Sequence, residues 1–355
     1  MHEGIDTVNM NGEGFEVFVK VGQRVSAGDK LLKFNPELIN QRGYQITCIL
    51  IITNSDEHPV KEHITGIDAI QNETTILKFK GVKEMYDFNT KTAVVSGAAT
   101  GIGKATALRL AKDGADIAIF DLPDRETGMA GTELLQTADE IKGMGRKCSV
   151  HLTDVSSPEN VKKSFDEVIQ KYGQIDFVVN VAGIADNTLP FEEVESKTLD
   201  KVYEVNVRGT FNMDKAATIL FKRQKSGKII NFSSINGITG YTGPYAYNAS
   251  KFAVTGLTQT LARELGPYGV TVNCICPGFI WTKMWEKNDR ALWEEQYPGQ
   301  EYVPMTFYQK QCDTTCLKRA TYPEDVANAV AFLLSDEARN ITGQHLNIDC
   351  GMEFH

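Results

Sequence analysis

The stretch KTAVVSGAATGIGKATALRLAKDGADIAIFD, residues 91–121, decides the fold of this chain. Its apolar run at 91–97 predicts a buried parallel strand, and residues 101–115 predict a helix that stops at Gly114. A second strand is predicted at 116–121. A strand, a glycine-rich turn, a helix and a strand in this order form a βαβ unit. The sequence therefore predicts an α/β fold with a doubly wound parallel sheet of the Rossmann type.

The glycine-rich turn SGAATGIG, residues 96–103, stands where a nucleotide site is expected. Glycines let the backbone approach a diphosphate, and the N-terminus of the following helix favours its negative charge. The spacing is G-x-x-x-G-x-G, through Gly97, Gly101 and Gly103. The turn predicts a dinucleotide site, and a turn used only for tight packing is the alternative interpretation.

Asp121 ends the second strand, about twenty residues beyond the turn. A carboxylate at this place can accept hydrogen bonds from the ribose hydroxyls of the adenosine, and it would repel a 2′-phosphate. The residue therefore predicts NAD rather than NADP as the cofactor. Arg125, in the loop that follows, could soften this preference or could be a solvated surface charge.

A tyrosine and a lysine in YNASK, residues 247–251, point to proton transfer. Tyr247 and Lys251 are four residues apart and share one face of a helix. We expect the lysine ammonium to lower the pKa of the tyrosine from about 10, which makes it a proton donor or acceptor at neutral pH. The pair is ordinary on amphipathic helices, but here it follows the glycine turn and the serine doublet NFSS at 231–234.

From about Phe88 to the C-terminus, the chain resembles the short-chain dehydrogenase/reductase family. Ser96 replaces the usual threonine of the family's glycine motif, and Val181 replaces its usual second asparagine. The family's motifs occur in the expected order as SGAATGIG at 96–103, HLTDV at 151–155, NVAG at 180–183, KVYEVNVRGTF at 201–211, CPGFIWT at 276–282 and the C-terminal segment at 321–351.

The resemblance implies a catalytic set and a cofactor site. Tyr247 would donate the proton to the substrate oxygen, Ser234 would hydrogen-bond that oxygen, and Lys251 would hold the nicotinamide ribose. Asn206 would keep a water in place for a proton relay through Lys251. The implied catalytic residues are Asn206, Ser234, Tyr247 and Lys251. The implied cofactor-binding residues are Gly97, Thr100, Gly101, Ile102, Gly103, Asp121, Leu122, Asp154, Val155, Asn180, Ala182, Gly183, Tyr247, Lys251, Pro277, Gly278, Ile280 and Thr282.

The start of the chain resembles a different family. HEGIDTV, residues 2–8, is similar to the HxGIDTV motif in the C-terminal half of glucose-type enzyme IIA domains of the sugar phosphotransferase system. In that family the motif histidine is phosphorylated, and His2 matches it, whereas Glu3 replaces a usually apolar residue. The second active-site histidine of that family would precede Met1. We expect a partial β-rich domain over residues 1–80 that is a remnant without phosphotransfer; a regulatory or docking module is the alternative.

The remaining boundaries follow from these two resemblances. We expect a linker at 81–90, a dehydrogenase domain at 91–355 and a substrate loop at about 279–319. Such a long aromatic loop is expected to cover the substrate, and a surface for a partner subunit is the alternative. The loop holds all three tryptophans, Trp281, Trp285 and Trp293.

The substrate is less closely defined. Aromatic side chains with interspersed polar groups suit a sugar alcohol or related polyol, and the C-terminal NIDCGMEFH is similar to the polyol-oxidising branch of the family. The alternatives are a reductase of 3-oxoacyl or other ketones and, from another class, a non-catalytic NAD-sensing regulator linked to sugar transport. A phosphorylated sugar is left open by the basic residues Lys283, Lys287, Arg290 and Lys310.

Composition restricts the partners and the setting. A net charge of −9 with a pI near 5.3 argues against nucleic acid and anionic membranes as partners. The longest apolar run, ITCILII at 46–52, is too short to span a bilayer. Seven cysteines without framework spacing suggest reduced thiols in a cytoplasm, and six scattered histidines predict no metal site.

The helix with the tyrosine motif predicts an oligomer. In the family, this helix and the one before it usually pair with their copies in another subunit. Residues 248–266 carry apolar side chains on more than one side, which require burial on two faces. We therefore expect a homotetramer, on the basis of Ala253, Val254, Leu257, Leu261 and Leu265.

Overall fold

The structure is a computed structural model that describes residues 2–5, 13–18, 32–43, 45–49, 60–63, 77–79, 86–186 and 188–354. Contacts within the chain divide it into two units, Met1–Lys83 and Glu84–His355. The division falls inside the segment that the sequence predicts as a linker.

In the described part of the N-terminal unit, short strands form antiparallel pairs. The elements described there are β1 His2–Ile5, β2 Phe15–Val17, β3 Leu32–Phe34, α1 Pro36–Gln41, β4 Gln45–Ile49, β5 Val60–His63 and β6 Leu77–Phe79. Strand β1 pairs with β4, β2 with β3, and β5 with β6. Helix α1 buries Ile39 completely. The β-rich character predicted for this segment is confirmed.

The C-terminal unit is built on a seven-stranded sheet in which all neighbours are parallel. Its strands are β7 Thr92–Ser96, β8 Asp116–Asp121, β9 Cys148–Leu152, β10 Phe177–Asn180, β11 Gly227–Phe232, β12 Val270–Pro277 and β13 His345–Ile348. The order across the sheet is β13-β12-β11-β10-β7-β8-β9. The chain therefore reverses its direction of growth between β7 and β10, and such a switch point opens a crevice at the carboxyl ends of the strands.

Helices connect the strands. They are α2 Gly101–Lys112, α3 Thr132–Gly143, α4 Pro158–Tyr172, α5 Ser196–Tyr203, α6 Thr210–Gln224, α7 Tyr245–Leu265, α8 Lys283–Gln296, α9 Thr306–Cys312 and α10 Pro323–Leu334. A six-residue π-helical turn, Glu204–Gly209, joins α5 to α6. The doubly wound, Rossmann-type prediction is confirmed.

The sheet is buried on both faces. On one face, α2, α3 and α10 supply the apolar residues Leu110, Leu134 and Val330. On the other face, α4, α6 and α7 pack through residues that include Phe165 and Phe221. A strand covered on both sides needs apolar residues at successive positions, which explains the unbroken run in β7.

Most of the predicted substrate loop is helical. Helices α8 and α9 occupy the larger part of residues 279–319. They are held together by Asp289 in α8, which is fully buried and accepts hydrogen bonds from the backbone N–H groups of Phe307 (2.8 Å) and Tyr308 (2.6 Å). The hydroxyl of Tyr302 donates to the other carboxylate oxygen at 3.0 Å. The aromatic residues therefore form a packed two-helix element in place of an extended loop.

Asp289→Ala should destabilise this element by about 2–4 kcal/mol, because it leaves buried donors without an acceptor. All three tryptophans lie within residues 281–293, so their fluorescence during denaturant unfolding reports on this part of the chain. Asp313→Ala, at an exposed position, is the matched control and should change the free energy of unfolding by less than about 0.5 kcal/mol. Equal stability of the two variants would contradict this role for Asp289.

Candidate active site

The glycine turn lies at the carboxyl end of β7, beside the switch point of the sheet. Gly97 and Gly101 have φ angles of 66° and 55°, in the left-handed region that favours glycine. A Cβ atom on Gly103 would lie 2.0 Å from the carbonyl oxygen of Gly97, so no larger residue fits there. Thr100, which precedes α2, makes no side-chain cap hydrogen bond. The turn and the N-terminus of α2 therefore fit a diphosphate.

Two cavities extend from this turn. The first, of about 290 Å³, is named here the tyrosine cavity, and the second, of about 380 Å³, the aspartate cavity. Five residues line both of them, Gly97, Thr100, Val181, Gly183 and Ile184. Shared walls make the two cavities one continuous groove, of a size that suits a dinucleotide with a small substrate.

The aspartate cavity has a carboxylate at its wall. One oxygen of Asp121 accepts a hydrogen bond from the backbone N–H of Ala99 and the other from that of Leu122, both at 2.8 Å. A carboxylate oxygen can accept further bonds, so the two ribose hydroxyls of an adenosine remain possible donors. The predicted cofactor residues along this cavity are Asp121, Leu122, Asp154, Val155 and Ala182.

The tyrosine cavity contains the proton-transfer residues. Ser234 is 6 % exposed and caps the short helix after β11, its oxygen accepting from the N–H of Asn236 at 3.2 Å. Trp285 and Lys283, from the start of α8, also face this cavity. The predicted residues that line it, besides those shared with the aspartate cavity, are Ile102, Gly103, Ser234, Tyr247, Lys251, Pro277, Gly278, Ile280 and Thr282.

Burial controls the acid–base character of this cavity. Burial raises the pKa of Tyr247, and the hydrogen bond with Ser234 only partly offsets it. Burial also lowers the pKa of Lys251 to about 8. The ammonium nitrogen of Lys251 donates to the carbonyl of Phe232 at 2.8 Å and lies 5.4 Å from the centroid of the Tyr247 ring. The prediction of a lowered pKa for Tyr247 is therefore wrong, because the loss of hydration dominates and the hydrogen bond with Ser234 is the group that acts in the other direction.

Asn206 lies in the π-helical turn, behind Gly183, and is 1 % exposed. Its side-chain oxygen accepts from the N–H of Ile184 at 2.8 Å, and its nitrogen donates to the carbonyl of Ile184 and to the hydroxyl of Ser250, both at 2.9 Å. A Cβ on Gly183 would lie 3.2 Å from the Asn206 oxygen and 3.5 Å from the Lys251 nitrogen. Asn206 thus ties the groove wall to α7, and its part in a water relay stays a prediction.

Two predicted cofactor residues, Gly101 and Asn180, line neither cavity. The side chain of Asn180 is turned into the fold, where its nitrogen donates to Asp214 at 2.9 Å and to Asn231 at 2.8 Å. Asn231 donates in turn to the second oxygen of Asp214 at 3.0 Å. The sequence gives no local signal for Asp214, a single aspartate within a helix. A side-chain contact of Asn180 with the cofactor is therefore not supported, and its role here is to join β10 to β11 and α6.

Asp214→Asn should change how stability depends on pH. Burial raises the pKa of Asp214 from 3.8 to about 7, so the folded protein holds this proton more tightly than the unfolded chain. The tighter binding of this proton stabilises the folded state fully below about pH 4, and this contribution of Asp214 is lost as the pH rises through about 7. The free energy of unfolding of the wild type should therefore fall relative to that of the variant over this interval, as urea titrations can measure. Asp166→Asn, at an exposed position, is the control. A difference between wild type and Asp214→Asn that is constant with pH would contradict the assignment.

Metal and membrane features are both missing from the part of the chain described. Within those residues, no three histidine, cysteine, aspartate or glutamate side chains are grouped to hold a metal ion. The same described segments contain no helix with the length and apolar character needed to cross a membrane.

Comparison with known families agrees with both predicted resemblances. The family model adh_short_C2, described as Enoyl-(Acyl carrier protein) reductase, matches residues 97–353. A second family model, described as phosphoenolpyruvate-dependent sugar phosphotransferase system, EIIA 1, matches residues 1–58. The chain belongs to the short-chain dehydrogenase/reductase family, and the predicted enzyme class is confirmed.

Individual relatives cover the same part of the chain. L-2,3-butanediol dehydrogenase of Corynebacterium glutamicum is 39% identical over 268 residues, which are 75% of this chain and 100% of that protein. Diacetyl reductase [(S)-acetoin forming] of Staphylococcus epidermidis is 36% identical over 267 residues, 75% of this chain and 99% of the relative. Among solved structures, NAD+-bound xylitol dehydrogenase is 33% identical with a TM-score of 0.67, and the match covers 74% of this chain and 99% of the other.

Proposed function

We propose that this protein is an NAD-dependent dehydrogenase that interconverts a secondary alcohol and a ketone, with a small polyol as its substrate. The observation that carries the proposal is the convergence of Ser234, Tyr247 and Lys251 on one cavity of a groove fit for a dinucleotide. A proton donor, a hydrogen-bond partner for the substrate oxygen and a cation at this place are the groups that such a reaction requires.

NAD fits the groove by the residues that would hold each of its parts and by comparison with a solved relative. The glycine turn and α2 would hold the diphosphate, and Asp121 would accept the adenosine ribose hydroxyls. Thr282 would meet the nicotinamide amide, and Lys251 the nicotinamide ribose. The similar xylitol dehydrogenase was solved with NAD+, which bears out the predicted cofactor. When bound, NAD supplies the hydride acceptor for alcohol oxidation.

The side chains of the tyrosine cavity handle the proton. In alcohol oxidation Tyr247 takes the proton from the substrate hydroxyl, while Ser234 hydrogen-bonds the same oxygen. Because burial disfavours the tyrosine anion, the positive charge of Lys251 nearby is needed to stabilise it. Ketone reduction follows the same path in reverse. Asn206 holds the backbone of Ile184 and the hydroxyl of Ser250 in place. The resemblance implies that a water relay through Lys251 would complete the path to solvent.

A polyol substrate agrees with the shape of the cavity and with the relatives. Trp285 offers an apolar face for a carbon chain, and Ser234 in the lining of the same cavity offers a hydroxyl. Two similar proteins carry the names of a diol dehydrogenase and an acetoin-forming reductase, and a third that of a xylitol dehydrogenase. A sugar alcohol or a small vicinal diol is therefore the substrate class proposed. A 3-oxoacyl reductase is the second candidate, because a relative from Staphylococcus aureus that is 36% identical over 263 residues carries the name 3-oxoacyl-[acyl-carrier-protein] reductase.

A non-catalytic NAD sensor is the alternative from another class. A sensor has no use for a serine, a tyrosine and a lysine arranged for proton transfer. Turnover of any alcohol with NAD would exclude this alternative.

A homotetramer is proposed from the exposed apolar residues of α6 and α7. Phe211 and Ile219 on α6 are 50% and 53% exposed, and Phe252 on α7 is 45% exposed. Of the apolar residues of α7 on which the sequence based this expectation, Val254, Leu261 and Leu265 are buried in the fold of their own chain, whereas Ala253 and Leu257 are half-buried. The exposed apolar residues of α6 and α7 would supply the second face, which a partner subunit would cover.

The setting and the N-terminal unit complete the proposal. The six cysteines with described side chains are free, which agrees with a reducing cytoplasm. His2 lies in β1, but its side chain falls outside the described residues. We propose that the N-terminal unit is a remnant of an enzyme IIA domain, with a regulatory or docking role as the alternative.

Tyr247→Phe should abolish turnover because it removes the hydroxyl that transfers the proton. General acid–base groups contribute roughly 10²–10⁴-fold, so kcat should fall at least that far while the Kd of NAD stays nearly unchanged. A panel of vicinal diols, sugar alcohols and 3-oxoacyl esters with both cofactors measures the loss and identifies the substrate. Tyr245→Phe, two residues earlier, is the matched control. If Tyr247→Phe kept more than about a tenth of kcat, the assignment would be wrong.

Asp121→Ala should reduce the preference for NAD over NADP by at least about tenfold in kcat/KM, because it removes a charge that repels the 2′-phosphate. Asp121→Asn removes the same charge but keeps a hydrogen-bond acceptor, and it should show most of the effect. Asp124→Ala, in the loop that follows, serves as the control. A wild-type enzyme that prefers NADP would refute the role given to Asp121.

A further inference from the structure

Helix α7 begins without a cap of its own. Tyr247 lies in the first turn of this helix, which spans Tyr245–Leu265. The residue before the helix is Pro244, and no side chain at that position makes a cap hydrogen bond. The first N–H groups of any α-helix have no partner within the helix, so they need an acceptor from elsewhere.

Asp186 supplies that acceptor from a distant part of the chain. One oxygen of its carboxylate accepts from the N–H of Ala246 at 3.1 Å, and the other accepts from the N–H of Tyr247 itself at 3.0 Å. Asp186 follows Gly183 by three residues, in the segment after β10. A residue next to the cofactor groove therefore holds the backbone of the proton-transfer tyrosine.

The same segment is fixed at several further points. Ile184 is bonded through its N–H and its carbonyl to Asn206. The ring of Phe191 packs edge-on against that of Tyr245, with centroids 5.1 Å apart. The side chain of Thr188 lies so close to Gly243 that a Cβ there would be 2.7 Å from its methyl group. The groove wall and the start of α7 consequently form one connected structure, with Asp186 as its charged link.

We propose that Asp186 is a positioning residue for Tyr247, which holds the tyrosine backbone in place and sets the proton affinity of its hydroxyl through charge. The inference rests on the proposed function, since it concerns the proton donor of that reaction.

Two physical effects of Asp186 act on the tyrosine. Its carboxylate offsets the positive end of the α7 dipole, which would otherwise favour the tyrosine anion. Its two hydrogen bonds also keep the first turn from fraying, and thereby keep the hydroxyl buried and in register with Ser234. Three other groups act on the Tyr247 side chain, namely Ser234, Lys251 and Cys276. A substitution at Asp186 leaves all three of them in the protein.

Substitution should therefore lower the pKa of Tyr247. Asp186→Asn removes the charge and keeps one acceptor, so the acid limb of the pH profile of kcat should move down by about half a pH unit with only a few-fold loss of kcat. Asp186→Ala also removes both hydrogen bonds, and kcat should fall roughly tenfold. The Kd of NAD should change less than about threefold in either variant, because its contacts lie elsewhere. Asp139→Asn on α3 makes the same charge change at an exposed position and should leave the profile unchanged.

A merely structural role would reduce stability without moving the pH profile. Thermal unfolding of each variant separates the two, and NAD binding shows that the variants are folded. The ionisation of Tyr247 can also be followed without any substrate, as the ultraviolet difference between each protein and its Tyr247→Phe counterpart during a pH titration. This measurement tests Asp186 even if no alcohol is turned over, an outcome that would count against the proposed function alone. A tyrosine pKa that is unchanged or raised in folded Asp186→Asn would overturn the proposal.

Discussion

The close approach of the first turn of α2 to the end of β7 is the constraint on which the rest of this fold depends. Because a Cβ at Gly103 would lie 2.0 Å from the carbonyl of Gly97, the helix can start there only on glycine. That start places the N-terminus of α2 beside the switch between β7 and β10. The groove, its shared walls and the position of Asp121 all follow from this one turn, which is why a diphosphate-binding motif also serves as the architectural centre of the unit.

Burial sets the chemistry at the other end of the groove. It raises the proton affinity of Tyr247 and lowers that of Lys251, so both side chains are driven towards their neutral forms. At neutral pH the tyrosine is therefore neutral, whereas the lysine, with a pKa of about 8, still carries a positive charge most of the time. The site is therefore suited to transferring a proton during a reaction rather than to holding a permanent ion pair, and the carbonyl of Phe232 keeps the lysine oriented meanwhile.

The sequence predicts those features of the protein that depend on residues close together along the chain. The glycine turn and the pair Tyr247 and Lys251 each depend on residues within one turn or one helix, so they are visible without a structure. Asp186 and Asp214 are not, because their partners lie many positions away and an aspartate has no local mark of such a contact. The pKa of Tyr247 was mispredicted for a related reason: helical spacing reveals the neighbouring lysine but not the loss of hydration around both groups.

The π-helical turn at Glu204–Gly209 has a consequence for how the family can vary. It accommodates one more residue than an α-helical turn would. The hydroxyl of Thr210 donates a hydrogen bond to the carbonyl of Asn206 within this turn, at 2.8 Å. Deleting one residue there would restore regular α-helix and leave α6 facing the sheet much as before, because the wide turn has already absorbed the extra residue. The loss would fall on Asn206, whose side chain bonds Ile184 and Ser250 from within this turn. A deletion at this stretch should therefore spare the packing of α6 and disrupt the contacts that Asn206 makes with the groove wall.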